Sequence, residues 1–550
     1  MPADAFASLL AGTAPELLGH ILTYLCPRDL ASVAQICKHA AAFLRPGADN
    51  THAKYAWKAA FLQVFDHPKY AWERLLPTAR AENASRHPAL WDWFHETHRR
   101  YAAYNAYRVA CDAGGAKSLE HLESIIVTLL DIHETASYTA VTEDDTPLSL
   151  NLEFLSDLVG RARDFDLLVH NPYDGIDALV LPPERSSKGF VSHYSSNINA
   201  ATHHCYEGED HEYPSPSNTS QDAPPSPRSA SVPEWASKFH IFSGSTEREL
   251  GSVELINAAR RIVYDFSVTG PRADYGPFHQ DDSGRINWKL LEAISSLMHH
   301  HFEAPLPPPR IQPIVFPPRF EDNIPHMVSV DPSATEVEDW AGITGPWLGN
   351  YSGVSFSTLV KFNSSLVSGA PMHLGRCQDV DAPFMNLKLQ SCSLEDSKEM
   401  AMDPVLQQKL PYCTDLPIQY FRGTSEVVNN ERAISRVKGF ACLCPGARQV
   451  RWKFIFCYLQ VQSQEWSDQW QLEGVQPGGV RSGGIYGMWK PVSNGRQLQG
   501  PFFIGPAEVY EAEAGEAEED DEDAENEADN ESIDSAQYTG CTTMVNPLFT

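Results

Sequence analysis

Between Trp340 and Pro506 the chain breaks into short runs in which apolar and polar residues alternate and glycine returns every few positions. The clearest runs are Trp347–Tyr351, Val354–Phe362, Phe384–Leu389, Gln419–Thr424, Ser435–Phe440, Val450–Phe456, Trp470–Gly474 and Gly484–Trp489. A period of two belongs to half-buried strands, whose successive side chains point to opposite faces. Many short strands with turn signals between them predict a closed antiparallel β-barrel, the arrangement that leaves no exposed edge. We assign residues 336–506 to it, with the loop 391–411 unplaced.

The N-terminal half follows a different period. In Pro15–Lys38 the apolar residues fall at 17, 18, 21, 22 and 25, then at 30, 33, 34, 36 and 37, which is helical spacing. Pro15 suits the first turn of a helix, where its missing N–H is not needed. The Pro27-Arg28-Asp29 break offers Asp29 as N-cap of a second helix. Two short helices with this much aliphatic surface point to a partner groove. Further helices are expected over 52–65, 90–111, 119–132 and 150–169, then over 247–266 and 288–301.

The chain therefore divides into a docking module at 8–60, a helical spacer at 61–185, and a Ser/Pro-rich disordered linker at 186–235. A helical segment at 236–304 packs on the barrel, and a Pro-rich connector spans 305–335. After the barrel comes a disordered acidic tail at 507–550. The fold class is multidomain α+β. Ser-Pro pairs in the linker are either kinase targets or plain solvated linker.

A chain of 550 residues is expected to form two to four domains. No run approaches the roughly 18 apolar residues that span a bilayer, and Met1–Gly12 lacks the pattern of a secretory signal. Eleven scattered cysteines favour reduced thiols, hence a cytoplasmic or nuclear setting. Fifteen carboxylates and no Lys or Arg lie between Glu508 and Asp534; without them the net charge of −30 falls to −15. Neither portion suits nucleic acid, which calls for a basic footprint.

Gly478–Gly484 lacks the Gly-Lys-Ser/Thr ending of a phosphate loop and reads as a tight strand connection. Asp281-Asp282-Ser283-Gly284 does not place oxygen ligands at calcium-loop spacing and reads as a turn. His299-His300-His301 are adjacent on a helix, about 100° apart, and make poor co-ligands. Cys442-Leu-Cys444 has no second pair at zinc spacing. No nucleophile elbow or His-Glu-x-x-His pattern occurs. No catalytic residue, metal or cofactor is assigned. Trp340, Trp347, Tyr351, Trp452, Tyr486 and Trp489 either line a barrel mouth or fill its core. Arg481 is a candidate for binding a carboxylate or phosphate, or for a structural salt bridge. The candidate substrate contacts are Trp347, Tyr351, Trp452, Arg481, Tyr486 and Trp489.

The residues of 15–38, read in order as Pro-Glu-Leu-Leu, Ile-Leu, Tyr-Leu, Pro-Arg-Asp-Leu and Val-Ala-Gln-Ile-Cys-Lys, resemble an F-box. Ala14 stands where that family usually has Leu. The strand region resembles the calycin-like substrate domain of an F-box subfamily of fungi and of one animal F-box-only group. Trp347-Leu-Gly-Asn-Tyr351, Gly423-Thr-Ser425 and the Gly-rich Gly474–Ser482 with Gly487-Met-Trp489 carry that likeness. The resemblance implies a non-catalytic substrate-recognition subunit of a Skp1–cullin–F-box ubiquitin ligase. Its partners would be a Skp1-type adaptor, a cullin–RING core and a protein substrate. Adaptor contact would fall to Pro15, Leu17, Leu18, Ile21, Leu22, Leu25, Pro27, Leu30 and Val33, so that lysines at 22 and 25 abolish it without unfolding the barrel. The alternatives are a helical hairpin serving only its own domain, a small-ligand or enzymatic barrel with an attached F-box, and an adaptor-binding scaffold without cullin.

Overall fold

The computed structural model describes residues 12–45, 47, 50–68, 91–112, 119–137, 140–141, 147–159, 234–244, 252–303, 339–368, 372, 374, 380–381, 384–414, 416–427, 430–446, 448–459, 465–479, 482–492 and 498–507. The linker up to residue 233, the Pro-rich connector, Arg481 and the acidic tail lie outside them.

From Pro15 four helices follow among the described residues: α1 (Pro15–Leu22), α2 (Pro27–Ile36), α3 (Lys38–Leu44) and α4 (Thr51–Leu62). Both α1 and α2 begin with proline in their first turn. Asp29 is not the cap of α2. That helix starts two residues earlier after Cys26, and Asp29 sits in its first turn accepting a bond from Cys26 Sγ at 3.2 Å. Proline at the first position needs no capped N–H, so the start moved upstream. The first three helices each pack on α4 or on one another. Their shared core takes Leu18, Leu22, Leu30, Leu44, Trp57 and Phe61.

The same core continues through α5 (Trp93–Asp112), α6 (Leu119–Glu134), α7 (Leu150–Val159) and α8 (Glu234–Ser243). Trp235, expected at the end of the linker, is already in α8. α9 (Val253–Val263) and α10 (Trp288–Glu303) follow, and α10 packs on the barrel wall.

Eight strands form the barrel: β1 (Gly345–Gly353), β2 (Met385–Ser391), β3 (Gln419–Val427), β4 (Asn430–Leu443), β5 (Val450–Leu459), β6 (Trp466–Gln476), β7 (Ile485–Pro491) and β8 (Gly500–Pro506). Each pairs antiparallel with the next, and β8 pairs back onto β1, with Phe502 opposite Tyr351 and Pro506 opposite Trp347. The closed antiparallel barrel read from the glycine-punctuated runs is present.

One of those runs is not a strand. Val354–Phe362 mostly enters α11 (Phe356–Val367). Ser355 caps it by accepting from Thr358 N, and Leu359 and Phe362, three residues apart, share its buried face. Apolar and polar residues alternate from Val354 to Ser357, as in a strand, but the cap and helical spacing decide the local structure. The unplaced loop 391–411 contains α12 (Leu394–Ala401), which lays Met400 over Tyr420, Phe440 and Ile455 on the outer wall.

Ring contacts identify the barrel interior. Trp347 on β1 meets Trp452 on β5 at 5.3 Å, and Phe421 on β3 meets Phe454 on β5 at 5.2 Å. Strands that are not neighbours touch this way only across the inside. Gly474 on β6 makes room there, since a Cβ on it would lie 2.8 Å from the Phe502 ring.

Candidate functional site

Helix α1 has two apolar faces. Leu18 and Leu22 are buried in the module's core, while Leu17 is 55% exposed and Ile21 48%. Tyr24, one turn on, is 71% exposed, and its hydroxyl lies 3.4 Å from His20 Nε2. Positions 17, 21 and 24 are spaced four and three apart, so they form one stripe. Large apolar side chains held together in solvent mark an interaction surface more strongly than the same residues scattered. Close packing of the opposite face fixes the stripe: a Cβ on Gly19 would lie 3.0 Å from His52 Nδ1 on α4.

The nine residues assigned to adaptor contact separate accordingly. Pro15, Leu17 and Ile21 face solvent, and Leu25 and Val33 are half-buried. Leu18, Leu22, Pro27 and Leu30 are buried. Lysines at 22 and 25 would therefore break the core as well as any docking, and do not isolate the surface. Tyr24 was missed. Its place one turn after Ile21 and two turns after Leu17 was visible in the spacing.

A polar knot ties the chain just after α4 to α6 and α7. Asp66, just after α4, accepts from Ser149 Oγ at 2.5 Å, from Ser137 N at 2.9 Å and from Leu150 N at 2.9 Å. Burial raises its pKa while these donors oppose the shift. Arg100 on α5 lies fully buried between the Phe61 and Phe65 rings and donates to Thr135 Oγ1 at 3.0 Å. Burial lowers its pKa to about 10, and it remains a cation at neutral pH. At the barrel side, Glu134 on α6 binds Lys238 of α8 and Arg448 of the β4–β5 turn.

The aromatic candidates are buried, and they lie on both sides of the barrel wall. Trp347 and Trp452 point inward, with Trp347 Nε1 bonded to Ile343 O at 2.9 Å and Trp452 Nε1 to Gln476 Oε1 at 3.1 Å. Tyr351 and Trp489 pack edge to face, and Trp489 Nε1 donates to Ser352 O. Tyr486 points outward, where its hydroxyl meets His299 Nε2 on α10 at 3.0 Å. These rings fill and brace the wall and do not converge on one open mouth.

A second cluster escaped the sequence reading. Asp274, in the segment 269–286 that straps the outer wall, receives Lys453 Nζ at 2.7 Å, Arg451 Nη2 at 2.9 Å and Lys409 Nζ at 3.2 Å. Glu473 holds Arg451 Nε at 2.9 Å and lies 3.0 Å from Lys453 Nζ. Burial would raise the Asp274 pKa, but Lys453 and Arg451 overcome it and hold the carboxyl well below its usual range. For Glu473, burial outweighs its two cations and the shift is upward. Asp274 and Tyr275 both have positive φ, at 48° and 64°, a conformation that costs a non-glycine residue energy unless its contacts compensate.

Among the described residues no group of His, Cys, Asp or Glu is arranged to hold a metal ion. No described helix is long and apolar enough to cross a membrane. Burial pushes the thiols of Cys442 and Cys457 up to about 12, so both stay protonated and unreactive. No family model, curated protein or solved structure matches this chain.

Proposed function

We propose that the chain is the substrate-recognition subunit of a Skp1–cullin–F-box type ubiquitin ligase, itself without catalysis. It would dock on the adaptor through α1 and present a protein substrate through the barrel domain. The observation that carries this reading is the exposed Leu17–Ile21–Tyr24 stripe, on a helix whose other face is locked into its own core. Burying these three half-open side chains in a partner groove gains roughly 1 kcal/mol each. Proximity between substrate and a recruited ubiquitin-carrying enzyme would supply the rate, so no reactive residue is required of this chain. The buried knots at Asp66 and Glu134 support it by tying the chain after α4 through α6 and α7 to α8 and the barrel.

The test is co-purification of the full chain with a Skp1-type adaptor. The Leu17→Lys/Ile21→Lys variant is expected to lose the adaptor while keeping the wild-type melting temperature. Full adaptor retention by that variant, or no adaptor binding by the wild-type chain, would overturn the proposal.

A further inference from the structure

The cluster under the strap is not electrically balanced. Facing outward from β5, β6 and β7 are Arg451, Lys453, Glu473 and Lys490, with Lys490 directly opposite Gln471. The strap adds Asp274, and the stretch before β3 adds Lys409. Four cations thus meet two carboxylates, a surplus of two positive charges in a chain of net charge −30. The strap's other acids change nothing, because Asp282 pairs with Arg272 and Asp281 with Arg285.

Arg451 and Lys453 are buried against the two carboxylates. The surplus therefore sits on Lys409, which is 57% exposed, and on Lys490. Lys490 Nζ lies 4.2 Å from the centre of the Tyr275 ring, so the positive-φ turn at Asp274–Tyr275 places an aromatic face under one lysine and a carboxylate beside the other. No carboxylate forms an ion pair with Lys490 among the described residues. Burial lowers the Lys490 pKa, the Asp274 carboxylate opposes that, and the nearby Lys409 and Lys453 charges lower it again. An anion placed between the two lysines would relieve that repulsion.

We propose that Lys409 and Lys490, over Tyr275, form a binding site for a phosphoryl dianion. A phosphoryl group carries about −1.5 to −2 charges near neutral pH, which matches the surplus, and ammonium groups make strong charge-assisted hydrogen bonds to its oxygens. The site stands whether or not the adaptor reading does. The same chemistry has two sources, a phosphorylated side chain of a bound polypeptide or a free phosphate.

Titration calorimetry on the full chain tests it, with inorganic phosphate in one arm and a phosphoserine peptide with its unphosphorylated twin in the other. Saturable phosphate binding is expected, weakened roughly tenfold or more for each of Lys409→Gln and Lys490→Gln. Lys361→Gln, on exposed α11, should bind as wild type. A phosphopeptide that binds more tightly than phosphate assigns the site to a polypeptide, and equal affinity assigns it to the free ion. No saturable binding, or equal binding by the double variant Lys409→Gln/Lys490→Gln with unchanged melting temperature, would overturn it. So would a response to phosphate matched by chloride at equal ionic strength.

Discussion

Lys453 Nζ lies 2.7 Å from Asp274 Oδ2, a bond that joins the fifth barrel strand to a strap 179 positions earlier in the chain. Both side chains are out of solvent, so neither charge can fall back on water. Lys453→Met should leave two buried carboxylates with one buried arginine and cost about 3–5 kcal/mol. Urea unfolding measures it. A loss under 1 kcal/mol would mean the cluster is far wetter than its geometry indicates.

The same carboxylate sets a pH dependence. The Asp274 pKa is depressed in the folded state, so its contribution is present above the unfolded value near 3.8 and disappears as pH falls through the lower folded value. Glu473, shifted upward, contributes with the opposite sign. Melting temperature against pH should therefore fall more steeply below about pH 4 in wild type than in Asp274→Asn, which keeps the left-handed turn. Parallel curves would exclude Asp274 as the source.

Inside the barrel, Trp452→Phe keeps an aromatic ring but strands Gln476 Oε1, whose donor is the indole N–H. An unsatisfied buried acceptor costs about 1–3 kcal/mol. Gln476→Leu should cost more than Trp452→Phe, because Gln476 Nε2 also donates to Ser482 O at 2.7 Å and Gly483 O at 3.2 Å, and a double-mutant cycle between the two positions reads their coupling directly.

The two faces of α1 should separate cleanly. Leu22→Ala removes a buried side chain and is expected to cost about 2–5 kcal/mol, whereas Leu17→Ala on the open face should stay within about 0.5 kcal/mol. Similar losses at both positions would show that the stripe is covered by the protein itself.

The sequence displayed what local periodicity controls. The barrel followed from alternation and glycine, and the N-terminal helices followed from the spacing of their leucines. Where two periods competed, as in Val354–Phe362, the apolar/polar alternation misled and the Ser355 cap decided. The cluster under the strap was hidden for another reason. Alternation along Val450–Phe456 marks Arg451 and Lys453 as facing away from the interior, which by itself implies water. They face the strap instead, and its Asp274 lies 177 and 179 positions away. The site was half legible: the leucine pattern located α1, but only packing shows which of Leu17, Leu18, Ile21 and Leu22 remain in solvent.

Closure of the barrel rests on β8 lying against β1, strands whose first residues are Gly500 and Gly345. On a ribosome, each of β2 to β7 finds a neighbour soon after it emerges, but β1 keeps one bare edge until Gly500–Pro506 leaves the exit tunnel. For more than a hundred residues of synthesis the nascent sheet is an open template for pairing with other chains. Translation that stops before residue 500 should thus yield aggregates rather than a shortened soluble barrel, which makes the last seven residues of the sheet the point at which this chain becomes safe to release.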